Sequence, residues 1–230
     1  MYFFWDWTYV ILLPAIVLSL IAQMRVSAAY NRYSQVASRR GVTATDVVRG
    51  IFHREGIQNV KIEATTGHLS DHYDPRSLTL RLSNGVIRSN SIAALGIAAH
   101  EAGHVLQHKE GYKPLVLRSA SVAAVNIGSR LSWPLLLLGI VLSFEPLIYA
   151  GIALFSVVVL FSIVTLPVEF NASRRAMAVL ESNGYLDADE MEGVRKVLSA
   201  AALTYVASAL MAVLQLLRLI AISGIGRRRD

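Results

Sequence analysis

Residues 147–166 run for twenty positions without an Asp, Glu, Lys or Arg, and no other feature restricts the fold as much. At a rise of about 1.5 Å per residue, a helix of that length crosses the roughly 30 Å hydrocarbon core of a bilayer. In water it would need burial on every side, and 54% apolar against 17% charged residues leaves too little polar surface for such a shell. The chain is therefore read as a membrane protein, and three further regions approach the same length. Residues 8–24 follow Asp6 and precede Arg25, Arg32, Arg39 and Arg40. With no basic leader and no small-residue cleavage site, they are expected to be a retained span, with Pro14 a point of kinking. Residues 131–144 are too short alone, so a second span recruits residues 119–130, must bury or snorkel Arg130, and leaves Arg118 at the near interface. Residues 197–217 form a fourth candidate, with Gln215 and Arg218 near its end.

These runs divide the chain into a first span (1–24), a soluble region (25–114), a second span (115–145), a third (146–168), a polar segment (169–196), and a fourth span with a basic tail (197–230). Within the soluble region, Thr43 or Thr45 is positioned to cap a helix reaching about Glu55. Residues 77–83 alternate at period two and predict a strand, with residues 68–74, closed by Asp74-Pro75, as its hairpin partner. An alanine-rich helix is expected from Ser91 to His108. Asn183-Gly184 and residues 187–192 make a second, smaller polar patch.

The net charge is +6, but the basic residues gather beside apolar runs rather than in a stripe interleaved with aromatics. That distribution disfavours nucleic acid and names the lipid bilayer as a partner. With no cysteine in the chain, disulfides, thiolate zinc sites, iron–sulfur clusters and a cysteine nucleophile are excluded. Any metal must be held by His and carboxylate.

Such residues stand together in His100-Glu101-Ala102-Gly103-His104, an H-E-x-x-H pattern. Histidines four apart share a helix face, so both imidazoles can reach one tetrahedral zinc at about 2.0–2.1 Å. Glu101 lies one residue round, where it reaches a metal-bound water rather than the metal, which is the pairing of general base and Lewis acid that amide hydrolysis needs. A Glu and two His in an apolar helix would be costly to bury without a metal or partners. A third ligand is required. His108 lies about 12 Å along the axis from His100, too far to share its ion, and Gln107 and Glu110 stand where the long metzincin pattern wants Gly and His. Glu169 is the better candidate, because the second and third spans form a hairpin that returns the chain to the side it left. Its rival reading is an interfacial acid paired with Arg174 or Arg175, and Asp71, His72 and Asp74 are the next ligands to consider.

At this point the chain resembles the YugP-like membrane zinc metallopeptidases, a gluzincin-type family. The similar segments are Asp71-His72-Tyr73-Asp74-Pro75-Arg76, residues 100–107, residues 110–115, Asn126-Ile127-Gly128-Ser129, Ser132-Trp133-Pro134 and residues 166–175. They cover most of the chain after the first span. The resemblance implies a multi-pass α-helical membrane protein with a small α+β zincin-like catalytic unit, zinc held by His100, His104 and Glu169, and Glu101 as base. The implied activity is hydrolysis of peptide bonds in a peptide or membrane-protein substrate near the membrane surface. Related gluzincins often carry E-x-x-A-D at the third ligand; here Ala172 is present but Ser173 replaces the Asp, so that support of the zinc-bound histidine is not assured, and Ser173 and Asn171 are the candidates to supply it. The zincin pattern also places an edge strand beside the metal helix, for which residues 79–83 are the candidate. The oxyanion-stabilising side chain is left open among His72, Tyr73, Arg174 and Arg175.

Two rivals make different use of the same residues. A site-2-type intramembrane protease would set H-E-x-x-H inside a spanning helix and add an L-D-G motif, which the chain lacks. A membrane adaptor with a structural zinc would have no use for Glu101. The arginines after the first span predict an outside amino terminus and a cytoplasmic face for residues 25–113 and the zinc site, although four full crossings would leave Arg227, Arg228 and Arg229 outside. The larger basic cluster near the first span is expected to override that tail.

Overall fold

The computed structural model describes residues 7–67 and 70–223. Asp6, His68 and the basic tail at 227–229 lie outside the described residues. A short 3-10 helix, Trp7–Leu12, leads into α1 (Leu13–Tyr33), so the turn type changes just before Pro14, where the ring removes a backbone donor. There follow α2 (Ala44–Arg54), β1 (Lys61–Thr65), β2 (His72–Asp74), β3 (Thr79–Ser83), α3 (Asn84–Ile87), α4 (Ile92–Lys109), α5 (Lys113–Val141), α6 (Glu145–Ser182) and α7 (Ala188–Ile222). Four helical stretches among the described residues, Trp7–Tyr33, α5, α6 and α7, are long and apolar enough to cross a membrane. The protein is thus a helical membrane protein carrying a small α+β unit.

The chain forms two compact units. One comprises Met1–Ala22, Val116–Pro167 and Thr204–Asp230. Here α5 and the first part of α6 make a tight helical hairpin, turned at Ser143 with φ of 50°. Glycines let its helices approach: a Cβ on Gly128 would stand 2.9 Å from the Leu154 carbonyl oxygen, and one on Gly151 2.9 Å from that of Ser132. Such small-residue seams suit lipid, where helices associate by close contact rather than by the hydrophobic effect. Arg218 is buried in this unit, its Nε donating to Thr8 Oγ1 at 3.1 Å and its guanidinium lying 3.7 Å from the Tyr9 ring centre. A cation at membrane depth is tolerable with such partners. Arg130, by contrast, is exposed on α5.

The other unit comprises Gln23–Leu115 and Val168–Leu203. Thr43 caps α2 in a reciprocal box with Asp46, accepting from the Asp46 amide at 3.2 Å while its own amide donates to Asp46 Oδ2 at 3.1 Å. Ser91 caps α4 by accepting from the Ala94 amide at 3.2 Å. Because α4 is apolar on nearly all sides, it becomes the centre of the unit. Its Leu95, Ala98, Ala102 and Val105 meet Val47 and Ile51 of α2, Leu80 and Leu82 of β3, Leu180 of α6 and Val194 of α7 in one buried cluster.

The sheet order is β1-β3-β2, with β1 parallel and β2 antiparallel to β3. This corrects the sequence reading: residues 79–83 are the central strand, paired with β1 over their whole length and with β2 over residues 79–81, so they are not an edge. The free edges belong to β1 and β2. The β2–β3 hairpin closes where expected, with Asp74 accepting from the Arg76 amide and the Ser77 hydroxyl. The third apolar run and the segment carrying Glu169 lie on one helix, α6, which continues through Pro167, and the apolar run of α7 starts inside a helix that begins at Ala188.

Candidate metal centre

The metal-binding candidates come from two helices of the α+β unit. On α4, the four-residue spacing puts His100 and His104 on one face, with ring centres 4.9 Å apart and planes at 87°. From α6, Glu169 points between them, Oε2 lying 3.1 Å from His100 Nε2 and 3.6 Å from His104 Nε2. Both oxygen–nitrogen separations lie close to the ligand–ligand edge of about 3.3 Å expected of a tetrahedral zinc with arms of roughly 2.0–2.1 Å, and all three ligand atoms lie within 4.8 Å of one another. Among the described residues, these three side chains form the one group of His and carboxylates with metal-site spacing. Between His104 and Glu169 the chain contains α5 and the first part of α6, two helices of crossing length, which is the even number that the sequence argument requires.

The outward ring nitrogens are engaged, which leaves the Nε2 atoms aimed at the shared space. Ser173 Oγ lies 3.1 Å from His100 Nδ1, the position where the related pattern has Asp. Gln107 Oε1 lies 3.0 Å from His104 Nδ1, while its Nε2 donates to the Val168 carbonyl at 2.8 Å and to Asn171 Oδ1 at 2.9 Å. Both amide hydrogens being spent, the oxygen must accept from the Nδ1–H of His104, which sets the tautomer with a free lone pair on Nε2. The network continues outward. Arg175 Nε donates to Asn171 Oδ1 at 2.7 Å, and its terminal nitrogens grip both oxygens of Glu110 at 2.6 and 2.7 Å. Arg175 is thereby tied to Glu110 and is not the arginine that pairs with Glu169 in the rival reading.

Glu169 is 2% exposed and Glu101 and His104 are nearly as deep. Burial alone would push the His104 imidazole down; the carboxylates of Glu169 and Glu101 outweigh it and hold the ring above its ordinary value. The pocket thus attracts positive charge, which suits a divalent cation better than it suits two neutral rings and two carboxylates.

What lets α6 come this near is Gly103. A Cβ there would stand 2.7 Å from the Ala172 carbonyl oxygen, closer than real contacts allow. Neither Gly103 nor Gln107 stands out in sequence as a site residue, although Gln107 carries a signal: it is three residues beyond His104, on the same helix face. The remaining candidates lie elsewhere. Asp71 accepts from the Ser83 amide and hydroxyl, His72 Nδ1 meets the Ser70 carbonyl, and Tyr73 and His108 share a 2.7 Å hydrogen bond at the flank of α4.

The comparisons with known proteins agree with this chemistry. A family described as "Putative neutral zinc metallopeptidase" matches residues 8–224. The chain is 45% identical over 215 residues to the "Putative membrane protease YugP" of Bacillus subtilis (strain 168), covering 94% of this chain and 96% of that protein. No solved structure matches it. A match of that extent over helices that carry a two-histidine, one-carboxylate cluster places the chain in the neutral zinc metallopeptidase family.

Proposed function

We propose that the protein is a membrane-embedded zinc-dependent endopeptidase that cleaves peptide bonds near the membrane surface. The observation that carries this reading is the meeting of half-buried His100 with buried His104 and Glu169 in one cluster, with Glu101 beside it on α4. Zinc, when bound, supplies a Lewis acid that polarises the scissile carbonyl and acidifies a water. His100 and His104 present Nε2, held in register by Ser173 and Gln107, and Glu169 contributes the negative charge that makes the set favour a divalent cation. Glu101 takes the proton from the attacking water and later passes it to the leaving amine.

Because β3 is enclosed, the substrate backbone is proposed to pair with the free edge of β2, whose Tyr73 reaches α4 through His108. A three-residue edge offers few main-chain hydrogen bonds, which supports broad sequence selectivity. The arginines after the first span support a cytoplasmic metal centre.

The test separates metal binding from chemistry. Glu169→Ala should lose zinc and activity together, whereas Glu101→Gln should keep zinc and lose cleavage by at least about 10²-fold. Substrates are found by comparing membrane proteomes of cells carrying the wild type and Glu101→Gln. Full turnover by Glu101→Gln would remove the base from the mechanism and leave the adaptor reading standing. Undiminished zinc in Glu169→Ala would move the third ligand elsewhere.

A further inference from the structure

In the α+β unit, α1 and α7 line a cavity of about 330 Å³ formed by Arg25, Ala29, Lys196, Ser199, Ala200 and Leu203. Its two cations come from opposite ends of the chain, yet each occupies the same kind of position. Arg25 is the first charge after the apolar run of residues 8–24, and Lys196 is the last charge before the charge-free run of residues 197–217. The two helices run antiparallel here, since Tyr33 of α1 lies against Gly193 of α7 while Arg25 shares the cavity with Leu203. Both cations therefore stand where their helices leave hydrocarbon, at the level of the lipid headgroups.

The charges around the cavity do not cancel. Lys196 is paired with Glu192, one turn away on α7. Arg25 has no ion pair among the described residues, and Arg32, two turns along α1 from it, and Arg195 are the other cations that Glu192 feels. Glu192 is set against three cations, Lys196, Arg32 and Arg195, and none of the residues lining the cavity is acidic. Besides the two cations the lining is Ala29, Ser199, Ala200 and Leu203, mostly apolar. Two cations beside a mostly apolar lining at headgroup level match a phosphate with an acyl chain attached better than they match a free anion.

We propose that this cavity binds the phosphate-bearing headgroup of an anionic membrane phospholipid, with the acyl chain leaving along α1 and α7. Arg25 supplies the uncompensated charge and Lys196 a second donor shared with Glu192. The site is separate from the metal centre and requires no peptidase activity.

The full chain is placed in nanodiscs of phosphatidylcholine with or without phosphatidylglycerol, and the lipids retained on gentle extraction are counted by native mass spectrometry. Zinc content is measured in parallel as evidence that each variant is folded. Wild type should retain phosphatidylglycerol in preference to phosphatidylcholine. Arg25→Gln with Lys196→Gln should lose roughly 30-fold of that preference, about fivefold per cation, while keeping zinc; Arg25→Lys should keep most of it. Arg118→Gln, which removes an interfacial charge outside the cavity, should leave the preference unchanged. Three results would overturn the proposal: no preference in the wild type, a double variant that keeps zinc and the preference alike, or equal loss in Arg118→Gln. Millimolar inorganic phosphate in detergent is the last arm. If it displaces the retained lipid, the ligand is free phosphate and not a headgroup.

Discussion

Replacing Gly103 by Ala isolates the contact that brings Glu169 to the histidines. An added Cβ would stand 2.7 Å from the Ala172 carbonyl oxygen and 3.2 Å from its Cα and carbonyl carbon, some ~0.7 Å inside ordinary van der Waals contact. All three neighbours are backbone, so no rotamer change relieves them and α6 must move away from α4. Glu169 lies less than one turn from Ala172 and moves with it. A displacement of that size exceeds the roughly 0.2 Å within which ligand distances of a metal site must be held. Zinc affinity should fall by about 10- to 100-fold, the range seen when the support of a ligand is lost, and overpacking should cost about 1–3 kcal/mol of stability. Alanine is the better helix former by about 1 kcal/mol, so the change cannot be blamed on helix propensity. Gly96→Ala is the control on the same helix: its Cβ would meet Val194 Cγ1 at 3.1 Å, a side chain that can turn aside, and zinc should be retained. The assay is zinc competition against a chelator in detergent, alongside thermal unfolding. If Gly103→Ala binds zinc as tightly as the wild type, the claim that this helix contact sets the reach of Glu169 is wrong.

Other consequences follow from the same geometry. Gln107→Leu leaves His104 Nδ1 without its acceptor and should weaken zinc binding by about 10- to 100-fold, measured by the same competition; unchanged affinity would remove Gln107 from the ligand support. Because the carboxylates hold the His104 ring above its ordinary 6.5, protons should compete with zinc already above that pH. Affinity should therefore fall as pH is lowered, beginning above 6.5, and a titration flat down to pH 6 would contradict this. Conversely, in metal-free protein the protonated ring contributes stability below the ordinary value that is lost as pH rises through the raised one. For orientation, the exposed Gln58 is the position for a reporter cysteine in a chain that has none; Ser83 is buried and would not report. Gln58→Cys should be protected from an impermeant reagent in intact cells and Ser223→Cys should react, and the opposite pattern would reverse the topology.

The features legible in sequence are those written in local periodicity. A twenty-residue run without charge must cross or be buried whatever its neighbours do, and histidines four apart must share a helix face, so the spans and the His100, Glu101, His104 face needed no tertiary information. Glu169 followed from counting crossings, and Thr43, Ser91 and the β2–β3 turn from capping and turn chemistry close to each residue. What the tertiary structure decided depends on segments far apart in the chain. Residues 79–83 alternate as any half-buried strand does, and only pairing with β1 on one side and β2 on the other makes them central; β1 itself, Lys-Ile-Glu-Ala-Thr, also alternates, but it is short and largely exposed, and its pattern does not say which strand it lies beside. Gln107 became the orienter of His104 because α6 lays Val168 and Asn171 beside it. Gly103 was indispensable only once Ala172 was opposite, and Arg25 and Lys196 became one cavity only when α1 and α7 packed antiparallel. A residue's own pattern determines which face it occupies, but what stands across from that face is set by packing between elements, and the sequence around the residue does not record it.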